Sequence, residues 1–163
     1  MTDKNLDGRI ELLIEIYDQA FDKPAWHGPN LRGSIRGLTP KQLLSRPSPK
    51  RHNIWEIVLH TTYWKYALHR KLTGGKKGAF PHGRSNWPRL PEKPDQAAWK
   101  SDLKLLLELH RLLRDDILNL PPSALDNRAP NSKYSYARWI YGLASHDLYH
   151  AGQIQLLKRL QKK

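Results

Sequence analysis

Tyr136, Trp139, Leu143, His146, His150, Gln153, Leu157 and Leu160 follow one another at steps of 3, 4, 3, 4, 3, 4 and 3 residues. That alternation is the inward stripe of a helix in a bundle, and it excludes the two-residue period of a strand over this stretch. The centre of the stripe is unusual, because two imidazoles and a carboxamide stand where a bundle seam ordinarily carries aliphatic residues. Side chains four apart share a helix face with Cβ atoms ~5–6 Å apart, and two such imidazoles can share one ion at ~2.0–2.1 Å. The bland alternative is a chance pair in a chain with 8 His, solvated on an exposed face. Burying both without partners would cost on the order of a few kcal/mol.

Three further segments carry helical periodicity. The spacing predicts helices over 6–21, 53–72 and 95–119, beside the one over 135–161, and a short helix over 40–45. The short one begins at Thr39-Pro40, a capping residue followed by proline at the first helical position. Pro24, Gly74-Gly75 and Pro121-Pro122 end the longer ones. Between Gly74 and Pro94 the chain holds 4 Gly and 4 Pro, and a connection that long in a compact domain is often functional. The expectation is an all-α, single-domain protein over 1–163: a four-helix bundle with long crossover connections.

Composition narrows the chemistry. There is no cysteine, which removes disulfides, thiolate-ligated zinc, iron–sulfur clusters and a protein thiol nucleophile. Any metal must therefore sit on His and oxygen donors. No apolar run approaches the ~20 residues needed to span a bilayer, and the opening MTDKNLDGRI lacks a secretory apolar core, so a cytoplasmic protein without membrane contact is expected. The net charge of +13 raises the question of nucleic acid. Basic clusters occur at Lys41, Arg46, Lys50 and Arg51, at Lys65, Arg70, Lys71, Lys76 and Lys77, and at Lys158, Arg159, Lys162 and Lys163. None is interleaved with aromatics in a nucleic-acid motif, and Arg70, Lys71, Lys158 and Arg159 complement helix dipoles. A nucleic-acid partner is not the expectation.

His60 lies on the stripe of Ile57 and Trp64 in the helix over 53–72. With His146 and His150 it would complete three nitrogen donors from two helices, leaving coordination positions open as in a catalytic metal site. Alternatively His60 is a core histidine bonded to a backbone carbonyl or to Glu56, and Glu56 can equally be the partner that orients a metal-bound His60. Gly142, one turn before His146, leaves space on the metal face or marks a close helix contact.

The run from His52 to Trp64, His52-Asn53-Ile54-Trp55-Glu56-Ile57-Val58-Leu59-His60-Thr61-Thr62-Tyr63-Trp64, followed downstream by His146-Asp147-Leu148-Tyr149-His150-Ala151-Gly152-Gln153-Ile154, resembles the DinB-like superfamily. Pro24-Ala25-Trp26-His27-Gly28-Pro29 resembles a subgroup feature of it. The resemblance implies a metal-binding four-helix bundle, often a homodimer, with a divalent ion on His60, His146 and His150. It also implies kinship with transferases and isomerases that use low-molecular-weight thiols such as bacillithiol, mycothiol or glutathione. It implies no DNA binding.

A metal with open positions lowers the pKa of a bound water or thiol, and in this chain the thiol would come from a small molecule. The expected function is therefore a metal-dependent S-transferase acting on a small-molecule substrate, with a metal-dependent hydrolase or a non-catalytic metal-binding stress protein as alternatives. Gln153, Trp64 and Tyr63 are the candidate cofactor contacts, Trp64 as a wall; Tyr63 and Tyr149 are weaker candidates as donors or acids, with packing the favoured role for both. Three imidazoles suit Zn, Ni, Mn, Fe or Cu to differing degrees. His146-Asp147-Leu148-Tyr149-His150 has the His spacing of HExxH metalloproteases, but Asp replaces the catalytic Glu and only 13 residues follow. Asp147 is expected to face a neighbouring helix or solvent, and His110 to be a satisfied core histidine.

Overall fold

A computed structural model describes residues 6–75 and 80–162; Lys76, Lys77, Lys163 and part of the Gly74–Pro94 connection lie outside them. Among the described residues the chain forms six helices, α1 (Gly8–Phe21), α2 (Leu31–Ile35), α3 (Pro40–Leu44), α4 (Ile54–Thr73), α5 (Gln96–Leu118) and α6 (Tyr136–Leu160), a 3-10 turn (Pro122–Ala124) and no strand. The starts are chemically specified. Asn53 accepts from the Glu56 N–H at 2.9 Å while the Glu56 carboxylate accepts from the Asn53 N–H at 3.1 Å, a reciprocal capping box. Asp95 accepts from the N–H groups of Ala97 and Ala98, both at 3.0 Å, and Thr39 with Gln42 forms a second capping box on α3. Gly74 ends α4 at φ 70°, the left-handed conformation that glycine adopts without steric cost. The unexpected element is α2, capped by the Asn30 side chain on the Gly33 N–H at 2.8 Å. Five residues with a central glycine show no period to read.

The four long helices close a ring in which α1 packs on α6 and α5, and α4 packs on α5 and α6. Two apolar clusters fill its ends. One takes Ile54 to Leu59 of α4, Trp99 and Leu106 of α5, Ile154 and Leu157 of α6, and Phe21 of α1. The other takes Leu68, Leu113 and Ile117, Ile140 and Leu143, and Ile10 to Tyr17 of the same helices. In chain order α4 and α5 both run from the first cluster to the second, whereas α1 and α6 run the opposite way. Contacts at both ends agree: Trp55 meets Trp99 at 5.3 Å between centroids, and His69 Nδ1 meets Asp116 at 2.5 Å. Parallel neighbours cannot be joined by a tight turn, so the segment between α4 and α5 has to cross back along the bundle. The long Gly- and Pro-rich connection follows from that topology.

Between the clusters lies a polar layer. Lys65 and Asp147 are both fully buried and form an ion pair there. Lys65 Nζ also sits 4.9 Å from the ring centroids of Tyr17 and Phe21. Asp147 thus faces the neighbouring helices rather than solvent, and Lys65 belongs to the core and not to a basic surface. His110 is stacked between Phe21 and Tyr17, with centroids 3.7 and 4.4 Å away. Burial, reinforced by the positive charges of Lys65 and Arg114, depresses its pKa to about 2. Its Nδ1 has no partner among the described residues, so it is a core histidine but not a satisfied one.

Candidate metal centre

His60 leaves α4, and His146 and His150 leave α6, at the edge of the polar layer. Their ligand atoms all lie within 4.8 Å of one another. His146 Nε2 is 3.1 Å from His60 Nε2 and 3.0 Å from His150 Nε2. Nitrogens held at ~2.0–2.1 Å around one tetrahedral ion stand ~3.3 Å apart, close to the two separations at His146 Nε2.

The outer nitrogens settle which atoms converge. His60 Nδ1 lies 2.5 Å from the carbonyl oxygen of Asn86. A carbonyl only accepts, so Nδ1 carries the proton and Nε2 presents a lone pair. His150 Nδ1 lies 2.7 Å from Gln153 Oε1, while the Gln153 amide donates to the Tyr149 hydroxyl at 2.9 Å. This orientation gives His150 the same tautomer. Two lone pairs then point at His146 Nε2, which can donate to one at most, and His146 Nδ1 is buried without a partner among the described residues. Neutral imidazoles cannot satisfy this arrangement by themselves; a cation accepted by all three Nε2 atoms does. Burial and the neighbouring imidazoles pull His146 down to about pKa 3 and His150 down to about 4, and burial lowers His60 as well. All three therefore stand neutral, the form that binds metal.

The connection between α4 and α5 builds the floor. Besides the Asn86 carbonyl it delivers Trp87, whose ring stacks on His60 at 3.9 Å and on His52 at 3.7 Å between centroids. His82, from the same segment, meets Asp102 at 2.7 Å, and Asp102 also accepts from Trp55 Nε1 at 2.7 Å. These bonds tie the connection to α4 and α5. Glu56 does not orient His60: its carboxylate is taken by Arg46, His52 and the Asn53 N–H. The other reading of His60, a bond to a backbone carbonyl, is realised together with the cluster.

In front of the imidazoles a cavity of about 670 Å³ opens to solvent, with Trp87, Gln153, Arg51, Leu156 and Leu160 among its walls. Of the expected cofactor contacts, Gln153 lies in it and binds His150 directly. Trp64 packs edge-on to His60 and His146, at 6.3 and 6.4 Å, but lines a separate apolar cavity shared with Trp139, Gly142 and His146. A methyl group on Gly142 would meet nothing within 4 Å, so the glycine leaves space there and marks no close helix contact. Tyr63 lines neither cavity; it borders a third one beside Tyr66 and Phe80, and its hydroxyl donates to the Arg84 carbonyl at 3.3 Å. The buried face of α6 runs through Ile140, Leu143, Ala144, Asp147, His150, Ala151, Ile154 and Leu157, three of them on the expected stripe. His146 and Gln153 stand beside that face, half-buried, and Leu160 is 45% exposed. The expected stripe is turned because α1 and α4 cover a broad side of α6, leaving the histidine edge to border the cavity.

An all-α bundle with three convergent imidazoles at the foot of an open cavity defines the class. The family model of the DinB superfamily matches residues 25–154, and the chain belongs to that superfamily. No curated protein and no solved structure gives a significant match.

Proposed function

We propose that the protein is a divalent-metal enzyme of the low-molecular-weight-thiol S-transferase type, with His60, His146 and His150 as the metal ligands. The observation that carries this reading is the convergence of three Nε2 atoms, two with fixed tautomers, at the end of a solvent-open cavity in a cysteine-free chain. When bound there, a divalent ion such as Zn, Ni, Mn or Fe supplies Lewis acidity that lowers the pKa of a thiol or water at its open positions. The Asn86 carbonyl and Gln153 keep the Nδ1 protons and so hold the ligand lone pairs inward. Trp87 shields His60 from water on one face. Tyr149, 63% exposed and bonded through Gln153 to His150, lines the cavity where it can pass a proton between a reactant and solvent.

The test is conjugation of monochlorobimane by the metal-loaded protein with glutathione, bacillithiol and mycothiol in turn. A thiol-dependent rate that disappears in His150→Ala supports the assignment. Rates no higher than those of His150→Ala with every thiol would remove the transferase reading, and hydrolysis of activated esters would then favour the hydrolase alternative.

A further inference from the structure

Among the described residues, Arg51 is the single formally charged side chain lining the cavity in front of the imidazoles, and no carboxylate lines it. Its neighbour Arg46 shows what an engaged guanidinium looks like here. Arg46 donates to both Glu56 oxygens, at 2.8 and 2.5 Å, and to the Arg51 carbonyl at 2.7 Å. Glu56 also accepts from the Asn53 N–H at 3.1 Å and faces His52 Nδ1 at 3.2 Å, so its carboxylate is engaged by groups other than Arg51. Among the described residues the Arg51 guanidinium has no carboxylate partner. Arg51 is exposed and lines the cavity beside Ser48, so its donors are open to a ligand there.

From Arg51 inward the floor is continuous. His52, Trp87 and His60 form a ladder of stacked rings, with interplanar angles of 3° and 12°. The facing wall is aliphatic: Leu157 is buried, whereas Leu156 and Leu160 remain 58% and 45% exposed at the mouth. The surface therefore has three zones in a row, a guanidinium with no carboxylate partner, an apolar slot and three convergent Nε2 atoms.

We propose that this cavity takes an amphipathic monoanion, a carboxylate with an apolar body. The carboxylate pairs with Arg51, the body lies between the ring ladder and the Leu156–Leu160 wall, and the far end is presented to the imidazoles. A single unpaired cation on the lining matches a single negative charge, and a guanidinium grips a carboxylate through two parallel bonds. The identification of the far end as the reacting end rests on the function proposed above; the binding itself does not.

The experiment is titration calorimetry of the metal-free full chain with octanoate, octanol and octylamine at low ionic strength. Octanoate is expected to bind tightest, and Arg51→Gln to weaken it about fivefold while leaving octanol unchanged. Lys104→Gln removes the same charge from an exposed position on α5 and is expected to change nothing. Equal affinity for octanoate and octylamine, or equal losses in Arg51→Gln and Lys104→Gln, would overturn the proposal. Zinc titration of the same preparations separates the two ideas: Arg51→Gln is expected to bind zinc as wild type does. A wild-type chain that binds octanoate through Arg51 but no zinc would sink the metal reading alone.

Discussion

The Lys65–Asp147 pair offers a perturbation whose size and pH dependence are set by simple limits. Both groups are fully buried, burial pushes the Lys65 pKa down and the Asp147 pKa up, and each is partly restored by the other. Lys65→Met leaves a carboxylate with no counter-charge. Protonation limits the penalty of the bare charge itself to about 1.4 kcal/mol per pH unit from 3.8 to 7, or about 4 kcal/mol at neutral pH. Asp147→Leu leaves an ammonium, and neutralising it from 10.5 down to pH 7 caps that loss at about 5 kcal/mol. These ceilings agree with the roughly 3–5 kcal/mol typical of a broken buried pair. Their pH slopes have opposite signs: the Lys65→Met penalty shrinks as pH falls and the Asp147→Leu penalty grows. The double variant, apolar on both sides, is expected within about 2 kcal/mol of wild type. Urea unfolding of the metal-free protein at pH 6, 7 and 8.5 measures all three. Single variants within about 1 kcal/mol of wild type, or equal slopes in the two, would refute the assignment of a charged pair pinning α4 to α6.

Three further outcomes follow from the same layer and its edge. His60, His110, His146 and His150 all have depressed folded-state pKa values, so their unfolded forms take up protons first as pH falls below about 6.5. Stability of the metal-free protein is therefore full above that pH and lost below it. His110→Gln should make the decline shallower by up to about 1.4 kcal/mol per unit, read from unfolding midpoints between pH 7 and 5. Gln153→Leu removes the acceptor that holds the His150 tautomer and is expected to weaken zinc binding about 10–100-fold in competition with a chelator, with little change in stability. Trp87→Ala removes the stack on His60 and His52 and should weaken zinc binding in the same assay; an unchanged affinity would mean that the connection contributes no order to the centre.

The sequence and the structure part company at identifiable places. The long helices were legible because each combines a wide apolar stripe with a cap, as Asn53, Asp95 and Ser135 show. The three histidines were legible because imidazoles at bundle spacing conflict with an apolar seam. Lys65 counts as a surface charge by residue type, and only the facing Asp147, 82 residues away, reveals it as core. The proton acceptor of His60 is a backbone carbonyl, which any residue type could provide, so Asn86 carried no signal. Trp87 stood in a stretch of Pro and Gly without periodicity. A tryptophan there, among residues otherwise suited to turns, was the one available hint that the connection docks on the site.

The central claim is that three imidazoles hold one divalent ion. Elemental analysis of protein purified without a His tag, then loaded with zinc and desalted, tests it most directly. One ion per chain in wild type and less than about a tenth of that in His60→Ala, His146→Ala and His150→Ala is the predicted result, the whole ligand set being needed for a closed grip. Equal, substoichiometric metal in wild type and His146→Ala would contradict it.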